Sequence, residues 1–244
     1  MPTLSESCSQ AVTCDALRAY LMEFVATFFF TVAVIGSVMS SSKLTLDAAP
    51  NPASLTAVAM ATAFGLSGAI YISAGISGGH VNPAVTFAMA IGGRLSVPMA
   101  IFYWISQILA STFACLILNY YTAGGVIPIF MIQEEMTGFA ASVMEGVLTF
   151  ELVYTVFVMM MGEVEHLRGF GPLVIGLVAG ANVLASGPFA GGSMNPACAL
   201  GAAIVAKRFR NQAVYWIGPL IGSGIAVLFY DGVVGPTLPR AGVV

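Results

Sequence analysis

The sequence predicts an all-α membrane protein with six transmembrane helices and two re-entrant half-helices in an inverted repeat. Three observations carry that prediction. Of 244 residues, 58% are hydrophobic and only 8% are charged. Six apolar stretches have the length of a bilayer span. Two shorter apolar stretches each open on the tripeptide Asn-Pro-Ala.

A hydrocarbon core of about 30 Å is crossed by about 20 helical residues. Stretches of that order run at about 19–39, 54–74, 97–118, 139–161, 170–188 and 212–231. Six crossings return both termini to one side of the membrane. The segments at about 82–92 and 195–206 are about half as long, so they enter without crossing. Residues 1–18, MPTLSESCSQAVTCDALR, hold no basic stretch followed by an apolar core, so the first span is expected to direct insertion. The basic residues do not orient the chain. Arg18, Arg94, Arg168 and Arg240 fall on the side of the termini, and Lys43, Lys207, Arg208 and Arg210 on the other.

The two short segments belong to an internal repeat. Met22-Glu23-x-Val25-x-Thr27-Phe28 returns as Met144-Glu145-x-Val147-x-Thr149-Phe150. Gly78-Gly79-x-x-Asn82-Pro83-Ala84 returns as Gly191-Gly192-x-x-Asn195-Pro196-Ala197, and Tyr103-Trp104-Ile105 as Tyr215-Trp216-Ile217. The chain therefore reads as a single transmembrane domain over 1–244, with repeats at about 17–122 and 138–235. Each half holds three spans, an odd number, so the second half enters the membrane in the opposite sense. One short segment then dips in from each face, and the two meet near the midplane.

Asn is a favoured N-cap and Pro a favoured first helical residue, so Asn82-Pro83-Ala84 and Asn195-Pro196-Ala197 read as two helix starts. If the Asn oxygen accepts from its own helix, the amide NH2 is left as an outward donor. Irregular backbone at that depth must be buried in protein or line a cavity, and a pore is the natural cavity. Each half-helix carries roughly half a positive charge at its N-terminus. Two facing N-termini repel cations and orient a neutral molecule through its lone pair. A third copy, Asn51-Pro52-Ala53, lacks both the preceding Gly-Gly and a following half-helix, and no role is assigned to it.

Other function classes find little support. A net charge of −3 leaves no footprint for nucleic acid. Cys8, Cys14, Cys115 and Cys198 form no metal-ligand or disulfide pattern, and no cofactor or metal is implied. No nucleophile with a nearby base and no phosphate-cradling loop is evident, so an enzyme is not expected. A secondary transporter shares inverted repeats and broken helices, but it usually needs ionisable groups beside them. Here only His80 is titratable at the half-helix starts.

These residues resemble the aquaporins, and among them the plant tonoplast intrinsic proteins. The likeness runs from about Leu17 to Asp231, with SGGHVNPAVTF (77–87), GANVLASGPFAGGSMNPA (180–197) and VYWIGPLIGSGIAVLFY (214–230) as its most specific stretches. It implies an hourglass-shaped channel for water and small neutral solutes in a lipid bilayer. It also implies a homotetramer with one pore per subunit, cytosolic termini, and residence in the vacuolar or another intracellular membrane. Counting from the Asn residues, the family's selectivity filter falls on Thr62, Val183, Gly192 and Cys198. Water-selective members have Arg at the position of Cys198, and tonoplast members commonly have His at that of Thr62. A wider, less polar constriction is expected, with a hydroxyl at Thr62 and a weak thiol donor at Cys198. Glycerol, urea, ammonia and hydrogen peroxide are the candidate solutes beside water.

Glu23 and Glu145 occupy equivalent places inside spans, where a carboxylate costs about 2.5–3.5 kcal/mol and marks function. The resemblance makes them acceptors for the half-helix loops, and His80 reads as a brace for the first loop. Glu151 lies six residues from Glu145, about 240° around the helix, so the two face different ways. Cys198 reads as a pore thiol open to mercurials, and His166 as a solvated loop histidine. Gly176, Gly180, Gly218, Gly222 and Gly224 read as close helix contacts. Phe28, Phe29 and Phe30 are expected to face lipid or another subunit.

Overall fold

The computed structural model describes residues 4–44, 51–161 and 169–234, so His166, Arg168 and Arg240 lie outside the described residues. A short helix, α1 (Leu4–Gln10), precedes α2 (Cys14–Leu44), α3 (Pro52–Ser77), the half-length α4 (Pro83–Ile91) and α5 (Val97–Tyr121). The second half holds α6 (Gly138–Met161), α7 (Gly171–Ala190), the half-length α8 (Pro196–Ala206) and α9 (Val214–Phe229), which ends in a π-helical turn, Tyr230–Val234. Six of these helices are long and apolar enough to cross a membrane, and each expected span falls on one of them. Most of them run a few residues past the hydropathy limits at the C-terminal end.

The helix starts follow the sequence chemistry. Asn51, Asn82 and Asn195 each have extended backbone and accept a helix N–H on the side-chain oxygen, with Pro at the next position. The third tripeptide, to which no role was assigned, therefore caps α3: Asn51 Oδ1 accepts from Ser54 N at 2.7 Å.

Small residues set how closely the helices approach. A side chain at Gly176 or Gly180 of α7 would strike the α3 backbone at Ala63 or Ala59. One at Gly218 or Gly222 of α9 would strike the α6 backbone at Ser142 or Gly146. Gly224 meets only side chains, at 3.7 and 3.8 Å. The half-helices are exchanged between the halves. The second, α8, packs on α5, with Gly201 over Ser111, and the first, α4, packs on α9, with Gly92 against Val227.

The outward faces of α5 and α9 carry Ile101, Ile105 and Leu109, and Ile217, Ile221 and Ile225, all exposed at the spacing of one helix face. Bulky apolar surface of this kind suits lipid. On α6, Glu145 is fully buried, whereas Glu151 is exposed with Val143 and Val147 on the outward face. The run of three phenylalanines divides as well. Phe29 is exposed and Phe28 half-buried, but Phe30 is turned inward and buried. The expectation that all three face lipid or another subunit is corrected for Phe30, because α2 places only part of its circumference outward.

Candidate functional site

Both re-entrant loops have the same backbone. Gly78, Gly79 and Val81 have φ of 86°, 67° and 56°, and Gly191, Gly192 and Met194 have 89°, 61° and 52°. Positive φ is unstrained for glycine but costly for Val81 and Met194. A buried carboxylate holds each strained turn. Glu23 accepts His80 N on Oε1 at 2.9 Å and Val81 N on Oε2 at 2.7 Å. Glu145 accepts Ser193 N on Oε1 at 2.9 Å and Met194 N on Oε2 at 2.8 Å. In the low-dielectric interior these bonds satisfy backbone donors that would otherwise be orphaned.

The first carboxylate carries more. Ser77 Oγ donates to Glu23 Oε1 at 2.7 Å and Gln107 Nε2 to Oε2 at 2.7 Å. His80 Nδ1 lies 3.1 Å from Thr86 Oγ1, and its ring packs 5.0 Å from Tyr103. The second loop has Ser193 in place of the histidine, with its hydroxyl on Asn195 O at 3.1 Å.

The two loops also hold each other. Asn82 Nδ2 donates to Met194 O at 2.8 Å, and Asn195 Nδ2 to Val81 O at 2.9 Å, while each Asn oxygen accepts from its own helix. The amides are therefore not wholly free donors, as the sequence suggested. One hydrogen of each is committed across the loops, and one is left over. Both amides border a cavity of about 10 Å³, also walled by Phe30, Leu66, Leu152 and Ala179. That is the room of about one water molecule.

Above it, on the face opposite the termini, opens a vestibule of about 910 Å³. Thr62, Val183, Gly192 and Cys198 all line it, and Phe30, Thr62 and Ser193 border both spaces, marking the constriction between them. Among the described residues, none that lines the vestibule is charged. Asn51 stands in its wall, as do the aliphatic Val34, Leu55 and Val58.

The hydroxyl and the thiol expected at the constriction both have partners within the protein. Thr62 Oγ1 donates to Val58 O at 2.8 Å, and Cys198 Sγ lies 3.4 Å from Thr31 Oγ1, with Cys198 only 1% exposed. With its hydrogen spent on Val58 O, the Thr62 hydroxyl turns acceptor capacity toward the pore, beside apolar surface from Val183. Gly192 has no room for a side chain, since a Cβ there would stand 2.5 Å from Ser186 Oγ.

Several supporting residues escaped the sequence reading. Phe30 walls both cavities. Asn182 is a buried polar residue of α7 whose Nδ2 donates to Leu148 O at 3.1 Å. Tyr103 Oη donates to Ser77 O and Tyr215 Oη to Ala190 O, the last residues of α3 and α7, at 2.8 and 3.0 Å. The repeated Tyr-Trp-Ile was the available signal for that pair.

Residues 10–230 match the family profile described as major intrinsic protein. A probable aquaporin TIP5-1 of Arabidopsis thaliana is 55% identical over 241 residues, covering 97% of this chain and 93% of the relative. Aquaporin TIP2-1 of the same plant is 48% identical over 219 residues, covering 89% of this chain and 88% of the relative. Among solved structures, the aquaglyceroporin from Plasmodium falciparum superposes with a TM-score of 0.77 at 20% identity, covering 91% of this chain and 98% of its own, a likeness of fold.

Proposed function

This chain belongs to the major intrinsic protein family and is a passive integral membrane channel for water and small solutes, not an enzyme, and we propose that it is a permissive one. On this reading it passes glycerol, urea, ammonia and hydrogen peroxide beside water, selected at Thr62, Val183, Gly192 and Cys198. The observation that carries the proposal is the hydrogen-bond inventory of that quartet. It holds no cation, and its hydroxyl and thiol are occupied by Val58 O and Thr31. An acceptor-lined, partly apolar constriction favours solutes that bring their own N–H or O–H donors.

Charge exclusion then rests on Asn82-Pro83-Ala84 and Asn195-Pro196-Ala197, where two half-helix N-termini face the pore centre. Glu23, Glu145 and His80 hold the loops that aim them. The matching backbone of the two loops supports a single channel domain with repeats at about 17–122 and 138–235. The tonoplast-type names of the relatives support residence in the vacuolar membrane, and on the same reading the channel is a homotetramer with cytosolic termini.

Stopped-flow swelling of proteoliposomes tests the reading. Flux of water, urea and glycerol is expected to be non-saturating and independent of ion gradients. Cys198→Arg should cut urea and glycerol flux at least about tenfold, a barrier of about 1.4 kcal/mol, with water flux retained. An unchanged solute ratio in that variant would refute the filter assignment. A proton leak in the wild type would refute exclusion by the half-helices.

A further inference from the structure

The positive charges of the described residues divide by face in a way their even count conceals. On the face of the termini both are neutralised, Arg18 by Asp15 at 3.2 Å and Arg94 by Asp231 at 2.6 Å. On the opposite face Lys43, Lys207, Arg208 and Arg210 make no ion pair among the described residues. Three of these four stand within four consecutive residues, all exposed, with Phe209 exposed among them at 57%.

The segment is an ordered turn. Lys207 and Asn211 both have left-handed backbone, with φ of 54° and 58°, and Lys207 N and Arg208 N donate to Ile204 O and Ala203 O. The end of α8 accounts for a cation near its carbonyls. It does not account for three, none of which makes an ion pair among the described residues, although Glu134 and Glu135 stand on the same face.

The depth of the turn defines its surroundings. It joins the end of α8, which returns from the membrane centre, to the start of the spanning α9, so it lies at the bilayer surface. The last turns of α5 and α8 pack on one buried cluster, through Leu118, Val205 and Ala206. Tyr120 and Tyr121, 85% and 86% exposed, therefore end α5 beside the basic turn. Exposed aromatic residues with Lys and Arg at helix ends suit the headgroup layer. Guanidinium groups bind phosphate oxygens through paired N–H donors.

We propose that Lys207, Arg208 and Arg210 form a binding site for the phosphate of anionic phospholipids in the leaflet opposite the termini. Phe209, Tyr120 and Tyr121 seat the lipid at the glycerol level.

Native mass spectrometry and thermal unfolding of the full-length detergent-solubilised protein, with phosphatidylglycerol or phosphatidylcholine added, test this. Phosphatidylglycerol is expected to stay bound and raise Tm. The K207Q/R208Q/R210Q variant should bind it at least roughly tenfold more weakly. R18Q, on the other face, should bind as the wild type does, and water flux through the triple variant reports that it has folded. Equal retention of phosphatidylcholine, or undiminished phosphatidylglycerol binding by a folded triple variant, overturns the site. Should R208Q alone bind as the wild type while the triple variant does not fold, the site is likewise overturned. Protection by millimolar inorganic phosphate equal to that by phosphatidylglycerol overturns the assignment to lipid.

Discussion

Val81 and Met194 sit in the same left-handed conformation, and the carbonyl of each accepts the side-chain amide of the Asn that follows the other, at 2.9 and 2.8 Å. Two strained residues thus present the acceptors that lock the half-helix starts together. Their own N–H groups are turned back to Glu23 and Glu145. The strain, the carboxylates and the Asn caps form one unit.

Glu23→Gln should be more damaging than an isosteric change usually is. Four donors converge on this carboxylate, and an amide would set N–H against N–H. A loss of roughly 3 kcal/mol or more is expected, read as a lowered Tm and reduced water flux. Glu145 accepts Ser193 N and Met194 N and, among the described residues, no side-chain donor, so Glu145→Gln should cost less.

Phe30→Leu should raise glycerol flux relative to water, because this ring borders both the vestibule and the small cavity beneath it. Volume is lost from a buried wall, so a stability cost of about 1–3 kcal/mol should accompany the wider passage. An unchanged glycerol-to-water ratio in stopped-flow swelling would show that the ring does not limit the pore.

Thiol reagents should separate the four cysteines. Cys8 and Cys14 are exposed, whereas Cys115 and Cys198 are buried and Cys198 faces Thr31. Polar maleimides are expected to label the first two within minutes and leave flux unchanged. Rapid labelling of Cys198 mapped by mass spectrometry, with loss of flux, would contradict the buried orientation of its thiol.

Arg94→Ala should destabilise more than Asp231→Asn. Arg94 makes a two-pronged pair with Asp231, donates to Gly92 O and lies 4.8 Å over the Phe157 ring, and the Asp231 change removes only the first of these. The pair is partly exposed, so its own worth is about 1 kcal/mol or less, and the ring contact adds about as much. At about 2–4 °C per kcal/mol, thermal unfolding can rank the two.

The spans, the half-helices and the positions of Glu23 and Glu145 were legible because each is a local or repeated signal. Hydropathy over about 20 residues, Asn before Pro, and a motif occurring twice need no knowledge of what packs on what. The misreadings concern side chains whose surroundings come from elsewhere in the chain. Phe30 shares its helix and chemistry with Phe29, and only rotation about α2 separates a pore wall from an outer face. Thr62 and Cys198 were rightly credited with a hydroxyl and a thiol, but an α3 carbonyl and a threonine of α2 occupy them.

The sequence by itself determined that the chain crosses a membrane six times, that two short helices begin at Asn82 and Asn195, and that their halves are inverted. Apolar length, capping chemistry and an odd number of spans per repeat are properties of contiguous residues. Only the tertiary structure decided what the hydroxyl and thiol at the constriction are paired with, which amide hydrogens are spent between the loops, and which cations of the described residues make an ion pair. Hydrogen bonds and ion pairs are made between residues far apart in the chain, and their geometry exists only once the helices are packed.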